Sequence, residues 1–315
     1  MIGLIQNELI KIFRRPGTYV MIGLLVIVIA IAGATMKFNQ GNYTTEDLQW
    51  KQNLQTENQA LKDQMERAPK GQDFEFFKES IALNEYRIEH NLSPLEEYKT
   101  WDFVGDIAQM IDFVGIFIIV IAAGIVASEF NWGTIKLLLI RPISRSKILA
   151  SKYLTVLLFG LSMLIFVFTF SIVFGAILFG FPESATPHLI YNNGVVSEQP
   201  IWLHLIIFYG LNSINMVMLV TMAFMMSAVF RNSSLAIGLS IFLMFTGGQF
   251  TMLLASKYEW AKYILFANTN LMQYFEGKPM LEGMTLSFSV VMLLIYLFLF
   301  LFLAYYIFKK RDVTA

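Results

Sequence analysis

The stretch MTLSFSVVMLLIYLFLFLFLAYYIF, residues 284–308, carries no charged side chain. The hydrocarbon core of a bilayer is about 30 Å thick, and a helix needs roughly 20 apolar residues to cross it. Because hydrocarbon offers no partner to an open backbone, such a run predicts a membrane-spanning helix. The chain contains five further runs of this kind, at about 17–36, 108–128, 153–181, 202–230 and 234–255.

The composition agrees with a membrane protein. Of the 315 residues, 56% are apolar and 15% are charged. Soluble domains average about 45–50% apolar residues and about 25% charged residues. This balance excludes a disordered chain, a basic nucleic-acid binder and an ordinary soluble enzyme. The 23 basic and 23 acidic residues cancel, so the net charge indicates no partner.

Several kinds of chemical site are absent from the sequence. The chain has no cysteine, which excludes disulfides, thiolate metal sites and cysteine nucleophiles. His90, His188 and His204 share no metal-ligand spacing. The sequence contains no G-x-x-x-x-G-K-[ST] phosphate loop, no H-E-x-x-H and no G-x-S-x-G. We therefore expect no catalytic site, no metal and no cofactor in this chain.

The predicted fold is an all-α polytopic membrane protein with six transmembrane helices. Residues 1–16 predict an amphipathic interfacial helix, because Ile2, Ile5, Leu9, Ile12 and Phe13 share one face. Ala32-Gly33-Ala34 resembles a signal-peptide cleavage site, but the long apolar run and the preceding helix favour a membrane span. The remaining segments are an external part at 37–107, a loop at 129–152, outer segments at 182–201 and 256–283, and a tail at 309–315.

Segment 37–107 predicts two antiparallel helices. Apolar residues recur at helical spacing in each arm. The first arm has Trp50, Leu54, Leu61 and Met65, and the second has Phe74, Phe77, Ile81 and Ile88. Thr44 with Asp47 is typical of a capping box at the start, Ala68-Pro69-Lys70-Gly71 separates the arms, and Asn91 to Pro94 ends the second. The hairpin is interpreted as a binding surface or as a spacer.

The distribution of Lys and Arg predicts that both termini are cytoplasmic. In that orientation the inner segments carry 12 basic residues against three acidic ones, Glu8, Glu129 and Asp312. The basic residues are Lys11, Arg14, Arg15, Lys136, Arg141, Arg145, Lys147, Lys152, Arg231, Lys309, Lys310 and Arg311. Segment 182–201 has none.

The first inner loop reads EFNWGTIKLLLIRPISRSKILASK, residues 129–152. Gly133 permits a turn, Thr134 can cap a short helix over 136–140, and Ser144 can cap the next helix. Three consecutive leucines, Leu137, Leu138 and Leu139, lie between basic residues close to water. This pattern favours docking into a groove of a cytoplasmic partner, and the alternative is a basic interfacial loop without a partner.

The loop resembles the E-x-x-x-G-T-x-x-L-L-L-x-x-P-[IV]-S-R signature of the ABC type-2 permeases, the membrane subunits of ABC transporters. The matching positions are Glu129, Gly133, Thr134, Leu137, Leu138, Leu139, Pro142, Ile143, Ser144 and Arg145. The segment from Glu8 to Pro16 is similar to the elbow helix of that family. The external segment 37–107 is longer than the corresponding loop of many members.

The resemblance implies a separate cytoplasmic ATPase subunit that binds ATP and Mg²⁺ beneath two permease chains, identical or different. The 129–152 loop would then act as a coupling helix. Glu129, Arg141 and Arg145 would make polar contacts, and Leu137 to Leu139 would dock into the ATPase. Gly133 and Pro142 would set the backbone shape.

Polar residues within the spans are candidates for a substrate path. They are Asn212, Asn215, Thr221, Thr246 and Gln249, and hydrogen bonding between helices is the alternative. The five methionines of the fourth span suit flexible packing, and copper binding is the alternative. The resemblance implies an exporter in a bacterial plasma membrane. The apolar spans, the lack of charges in their cores and the external hairpin predict that its cargo is hydrophobic or amphipathic, such as an antimicrobial peptide, a lipid-like compound or a drug.

Two other functions compete with this one. The chain could be a membrane-anchored sensor or assembly protein whose hairpin binds a ligand and whose inner loop recruits a partner. A stand-alone ion-coupled carrier would be marked by carboxylates in the bilayer core, and the sequence lacks such a pair.

Overall fold

A computed structural model describes residues 1–40, 49–67, 74–94, 98–135, 142–182, 187–192, 194–230, 232–275 and 279–310. These residues are mostly helical. The helices are α1 (Ile2–Phe13), α2 (Pro16–Gln40), α3 (Trp50–Arg67), α4 (Glu75–His90), α5 (Thr100–Ala108), α6 (Ile111–Gly124), α7 (Ala127–Asn131), α8 (Arg145–Phe179), α9 (Ile201–Phe230), α10 (Ser233–Ala255), α11 (Leu265–Asn268) and α12 (Leu286–Lys310).

Within this part of the chain, five helices are long and apolar enough to cross a membrane: α2, α8, α9, α10 and α12. Helices α5 and α6 form a sixth span if they are taken together, with a bend of 44° between them. The prediction of several membrane-spanning helices is therefore confirmed.

If α5 and α6 are taken as one span, that span begins earlier than the sequence predicts. We expected it at 108–128, with residues up to 107 in the external hairpin, but α5 already begins at Thr100 and its residues Phe103, Val104 and Ile107 are buried. Asp102 and Asp106 lie on the same short helix and lower its hydropathy, which explains the difference. The hydroxyl of Thr100 donates to the carbonyl of Gly180 (2.7 Å) and ties α5 to the end of α8.

Helix α9 is the most buried of the spans and packs against α6, α10 and α12. Its methionines lie inside the bundle: Met216, Met218, Met222 and Met226 are buried. A thioether side chain adapts to irregular gaps, and Met226 accepts a hydrogen bond from Ser240 of α10 (3.3 Å).

Helices α3 and α4 pack side by side. The amide of Asn84 donates to the side-chain oxygen of Asn58 (2.9 Å), and both residues are buried. Lys62 and Glu85 form an exposed ion pair (3.1 Å). Asn91 ends α4 in a left-handed conformation (φ 56°). The predicted capping box at 44–47 and the breaker at 68–71 lie outside the described residues.

Segment 182–201 contains two antiparallel strands, β1 (His188–Asn192) and β2 (Val195–Gln199), so the prediction of an entirely α-helical chain was wrong here. The register pairs His188 with Gln199 and Asn192 with Val195. An Asn-Gly pair in the sequence between β-branched and aromatic residues is typical of a hairpin, and Gly194 has φ +88°. Tyr86 of α4 donates to Glu198 of β2 (3.2 Å) and so connects the two hairpins.

Between α10 and α12 the chain folds back in short turns around α11. The side-chain amide of Asn268 donates to the carbonyls of Lys262 and Ile264 (both 2.8 Å). Its oxygen accepts from Ser289 (2.8 Å), which is also bonded to Tyr274 (2.6 Å). These bonds satisfy polar groups that would be costly to bury alone.

Two adjacent glycines of α10 give a test of this packing. A Cβ atom at Gly247 would overlap the ring of Phe266, whereas one at Gly248 would meet nothing within 4 Å. We expect Gly247→Ala to lower the free energy of unfolding by about 1–3 kcal/mol, since overpacking forces neighbours apart. Thermal denaturation in detergent would measure this. Equal melting temperatures of the Gly247→Ala and Gly248→Ala variants would contradict the packing of α11 on α10.

Candidate coupling site

Five residues at one end of the bundle form a compact ion-paired group, which we call the Glu8–Lys152 cluster: Glu8, Lys11, Glu129, Thr134 and Lys152. The Lys152 side chain is only 2% exposed. Its Nζ donates to Glu8 Oε2 (2.8 Å) and to Glu129 Oε1 (3.0 Å). Lys11 Nζ donates to Glu8 Oε1 (2.7 Å) and lies 3.6 Å from Glu129 Oε1. Two cations and two anions therefore neutralise one another.

The helix periodicities explain why these side chains meet. On α1, Glu8 lies between Ile5 and Ile12, at spacings of three and four, so it shares their face. That face packs on α8, where the rings of Phe13 and Phe159 are in edge contact at 5.6 Å. The hydroxyl of Thr18 also donates to the Ile12 carbonyl (2.6 Å) and ties α1 to the start of α2.

Lys152 lies in the buried stripe of α8. Leu149, Lys152, Val156, Phe159 and Met163 follow at spacings of three, four, three and four, and all are buried. A charged side chain in such a stripe is costly unless it is paired and hydrogen-bonded. The two carboxylates supply that pairing from α1 and from the 129–152 loop.

The helix is interrupted between α6 and α7, just before the 129–152 loop, and a serine of α9 stabilises this interruption. The backbone N–H groups of Val126 and Ala127 donate to the hydroxyl of Ser227 (3.2 and 3.0 Å). The side-chain amide of Asn131 donates to Ser233 at the start of α10 (2.8 Å). The short helix α7 is therefore attached to α9 and α10 before the chain reaches the turn at Gly133.

The turn that follows brings Glu129 and Thr134 together. Gly133 has φ +69°, a conformation that L-residues with a side chain rarely adopt. The chain reverses there, and the Thr134 hydroxyl donates to the Glu129 carboxylate. Thr134 was expected to cap a helix over 136–140, and those residues lie outside the described part of the chain. The guanidinium of Arg15 lies 5.7 Å above the Trp132 ring and adds a contact with the end of α1.

The charges of the cluster are stable at neutral pH. Burial alone would raise the pKa of the Glu8 carboxyl, but the ammonium groups of Lys152 and Lys11 outweigh it and lower the pKa. The pKa of Glu129 is lowered in the same way, against its burial, by Lys152, by the hydrogen bond from Thr134 and by Lys11. Both carboxylates are therefore ionised.

The structure brings together three of the predicted coupling residues, Glu129, Gly133 and Thr134. Pro142 is exposed. Arg145 begins α8 and donates to the carbonyl of Lys309 in α12 (3.2 Å). Ser144 precedes α8 as predicted, without a hydrogen bond from its side chain to the helix. Leu137, Leu138, Leu139 and Arg141 lie outside the described residues.

The structure places the five substrate-path candidates on different surfaces. Thr221 is fully buried and bonded to the Tyr153 hydroxyl (2.8 Å), so it links α9 to α8. Asn212 donates to the Phe208 carbonyl within α9 (2.9 Å), and Asn215 is half-buried. Thr246 donates to the carbonyl of Phe242, and Gln249 is exposed. A common lining surface is therefore not evident among them.

Sequence reasoning missed the central residue of the site. Lys152 was interpreted as one of the basic residues that flank a span. Glu8 was counted as one of three inner acidic residues and as the first residue of the elbow-like segment. The signal was present, since Lys152 and Glu8 each interrupt an apolar stripe at helical spacing. One cationic and one anionic interruption on two helices that pack together predict an ion pair.

The profile of a protein family described as "Protein of unknown function (DUF2705)" matches residues 76–314. The chain is 51% identical over 316 aligned residues to "Uncharacterized protein YhcI" of Bacillus subtilis (strain 168), with 99% of each chain covered. It is 32% identical over 197 residues to "Uncharacterized membrane protein YdbK" of the same organism, with 62% of this chain and 76% of the relative covered. No solved structure matches the chain.

Removal of the central charge tests the cluster. We expect Lys152→Met to lower the free energy of unfolding by about 3–5 kcal/mol, because it leaves two buried carboxylates with one partner. Lys147→Met is the matched control, since Lys147 is exposed on the same helix. Thermal denaturation in detergent would measure both. A Lys152→Met variant as stable as the control would contradict the buried ion pairs.

The lowered pKa values of Glu8 and Glu129 predict a pH dependence of stability. A group whose pKa is lowered on folding stabilises the protein above its ordinary pKa, here 4.5, and this stabilisation is lost as the pH falls through the folded value. We expect a constant contribution between about pH 6 and pH 8 and a loss below about 4.5. Melting temperatures across this range would measure it, and Glu8→Gln should show a smaller acid-induced decrease than the wild type. An equal decrease in both would contradict the assignment.

Proposed function

Because the chain belongs to the DUF2705 family, whose description states no function, we propose one from the geometry of the Glu8–Lys152 cluster. The chain is the permease subunit of an ATP-driven ABC transporter of the type-2 class, and it exports a hydrophobic or amphipathic molecule. A separate cytoplasmic ATPase docks on the 129–152 loop and supplies the energy. The observation that carries this proposal is the ion-paired turn from Glu129 to Thr134, on which the loop begins.

A docked subunit can move the spans only if its docking surface is firmly attached to them. The turn meets this requirement, since Glu129 is bonded to Lys152 of α8 (3.0 Å). The preceding residues are bonded to Ser227 of α9 and Ser233 of α10. Movement of the turn would therefore be transmitted to three spans rather than lost in a flexible loop.

The interfacial helix α1 belongs to the same unit. Glu8 pairs with Lys152, and Lys11 lies 3.6 Å from Glu129, so α1 contacts both ends of the 129–152 loop. Under this proposal α1 corresponds to an elbow helix that moves with the loop. ATP binding closes the ATPase, and the permease shifts toward whichever arrangement of its spans fits the closed ATPase better.

The charge pattern of the spans supports an external energy source. Helices α9 and α10 contain no Asp, Glu, Lys or Arg. Proton- and ion-coupled carriers use ionisable groups within the membrane, whereas the buried charged side chains among the described residues, Glu8 and Lys152, lie in the cluster. A multi-pass membrane location is supported by the apolar helices and by a relative named a membrane protein.

In this proposal two permease chains and two ATPase subunits form the transporter in a bacterial plasma membrane, with both termini in the cytoplasm. The ATPase, rather than this chain, holds ATP and Mg²⁺. The predicted contacts to it come from Leu137 to Leu139, Arg141 and Arg145, which follow the ion-paired turn along the chain.

Co-purification tests the docking surface. We expect a tagged wild-type chain, isolated in mild detergent from its native membrane, to carry a phosphate-loop ATPase that mass spectrometry identifies. Leu138→Asp should place a charge in the apolar docking contact and reduce the ATPase recovered by about tenfold or more, equivalent to about 1.4 kcal/mol. Arg145→Glu should act in the same direction. Lys257→Glu, at an exposed position beyond α10, is the control and should retain the ATPase.

A full complement of ATPase on both loop variants would show that the loop is not the docking surface. Vesicles containing the chain and the ATPase test transport directly. If ATP drives no movement of amphipathic cargo in them, the sensor or assembly role becomes the better hypothesis. Uphill transport by the chain alone on an ion gradient would refute the proposal.

A further inference from the structure

A cavity of about 560 Å³ lies at the opposite end of the bundle from the Glu8–Lys152 cluster. Its walls come from α5, from the start of β1 and from the first two turns of α9. The volume falls in the range of sites that hold small organic molecules, about 300–1,000 Å³. Neither the ion cluster nor the 129–152 loop contributes to it.

The walls combine aromatic rings with aliphatic side chains. Tyr98, Trp101 and Phe208 supply the rings, and Ile201 and Leu205 supply the aliphatic surface. Trp101 is half-buried and its ring is in edge contact with that of Phe181 (6.1 Å). Sites for drug-sized ligands are mostly apolar with a few placed polar groups, and aromatic faces also attract cations.

The fixed charges of the walls favour a cation. Asp102 and Asp106 line the cavity, against one basic residue, Lys99. The two carboxylates are four residues apart on α5 and so share one face.

Each carboxylate is held in position. Asp102 Oδ2 accepts the backbone N–H of Lys99 (2.8 Å) and caps α5, and Asp106 Oδ2 accepts the Tyr98 hydroxyl (2.7 Å). Burial, together with the hydrogen bond to Asp106 and its charge, raises the pKa of Tyr98, so the phenol remains a hydrogen-bond donor to Asp106. A preorganised anion loses little freedom when a ligand binds.

Two histidines complete the wall. The rings of His188 and His204 are stacked with centroids 3.6 Å apart, although they are distant in sequence. Among the described residues, no group of three or more His, Cys, Asp or Glu could hold a metal ion. The pair is therefore better suited to a flat contact surface for an organic ligand than to a metal centre.

We propose that this cavity binds a monovalent organic cation with an apolar body, with Asp102 and Asp106 facing the charge and Trp101 and Phe208 contacting the body. The inference concerns binding to the chain alone and does not rest on the proposed ATPase. If both hold, it defines the class of molecule that the transporter handles.

A substitution at Gly105 can fill the cavity without changing the charge of its walls. It lies between the two aspartates on α5, and a Cβ atom there would be in ordinary contact with Leu205 (3.7 Å). A small substitution is therefore tolerated, and a phenyl group at this position would occupy space that the ligand needs. Asp106→Asn keeps an oxygen that can accept from Tyr98 and removes only the charge.

The probes are tetraphenylphosphonium and tetraphenylborate, which have nearly the same shape and opposite charge. We expect the purified full chain in a neutral detergent to bind tetraphenylphosphonium saturably, measured by equilibrium dialysis. Asp106→Asn should weaken binding by about tenfold, as expected for the loss of one charged contact, and Gly105→Phe should abolish it. Asp63→Asn, a carboxylate change on α3, is the control and should bind as the wild type does.

Equal binding of tetraphenylphosphonium to the wild type, Asp106→Asn and Gly105→Phe would overturn the site, because it would show partition into detergent only. Tetraphenylborate is dialysed separately, since the two ions pair with each other in solution, and saturable binding of tetraphenylborate to the wild type with equal affinity would overturn the choice of a cation. If Gly105→Phe fails to fold, Asp106→Asn decides the outcome. Leu138→Asp should bind tetraphenylphosphonium normally, so failure of ATPase docking and failure of this site are separate results.

Discussion

The ammonium group of Lys152 connects three parts of the chain that are far apart in sequence. It binds one carboxylate from α1 and one from the loop after the second span, and it does so from a buried position on α8. A buried ion pair adds little stability compared with well-packed apolar residues, but the loss of one partner is costly. We interpret the cluster as a device that fixes the register of α1 and of the loop on α8, since any other register would leave a charge unpaired.

The two ends of the bundle differ in their chemistry. At one end opposite charges neutralise one another and the backbone of the loop is fixed by bonds to Ser227 and Ser233. At the other end a cavity is lined by carboxylates and aromatic rings. Between them the described spans are packed through apolar side chains, with isolated polar contacts such as that of Tyr153 with Thr221. The first end is suited to transmit movement and the second to accept a ligand.

The sequence predicted those parts of the fold that depend on long periodic patterns. The apolar runs predicted the long apolar helices α2, α8, α9, α10 and α12, because a run of 20 or more apolar residues has few alternatives. The start of the second span was missed because Asp102 and Asp106 reduce its hydropathy, although the opposite face of α5 is buried. The strand pair at 188–199 was missed because each strand has only five residues.

The candidate coupling site was predicted in part. The signature identified Glu129, Gly133 and Thr134, which the structure brings into one turn. Lys152 and Glu8 could not be assigned from the distribution of charges, because a basic residue near the end of a span ordinarily faces water or lipid headgroups. Only the docking of α1 on α8 makes them partners, and that contact depends on the tertiary fold.

Helix α8 reaches from the ion cluster to the edge of the cavity. Its 35 residues correspond to about 52 Å at 1.5 Å per residue. Near its first turns Lys152 is clamped by two carboxylates, and at its far terminus the Gly180 carbonyl is bonded to Thr100, beside the aspartates of α5. Because α8 is continuous and is bonded near both of its ends, it cannot tilt without displacing both sets of bonds. A displacement of α8 at the cluster would therefore also move its far end, next to α5 and the cavity.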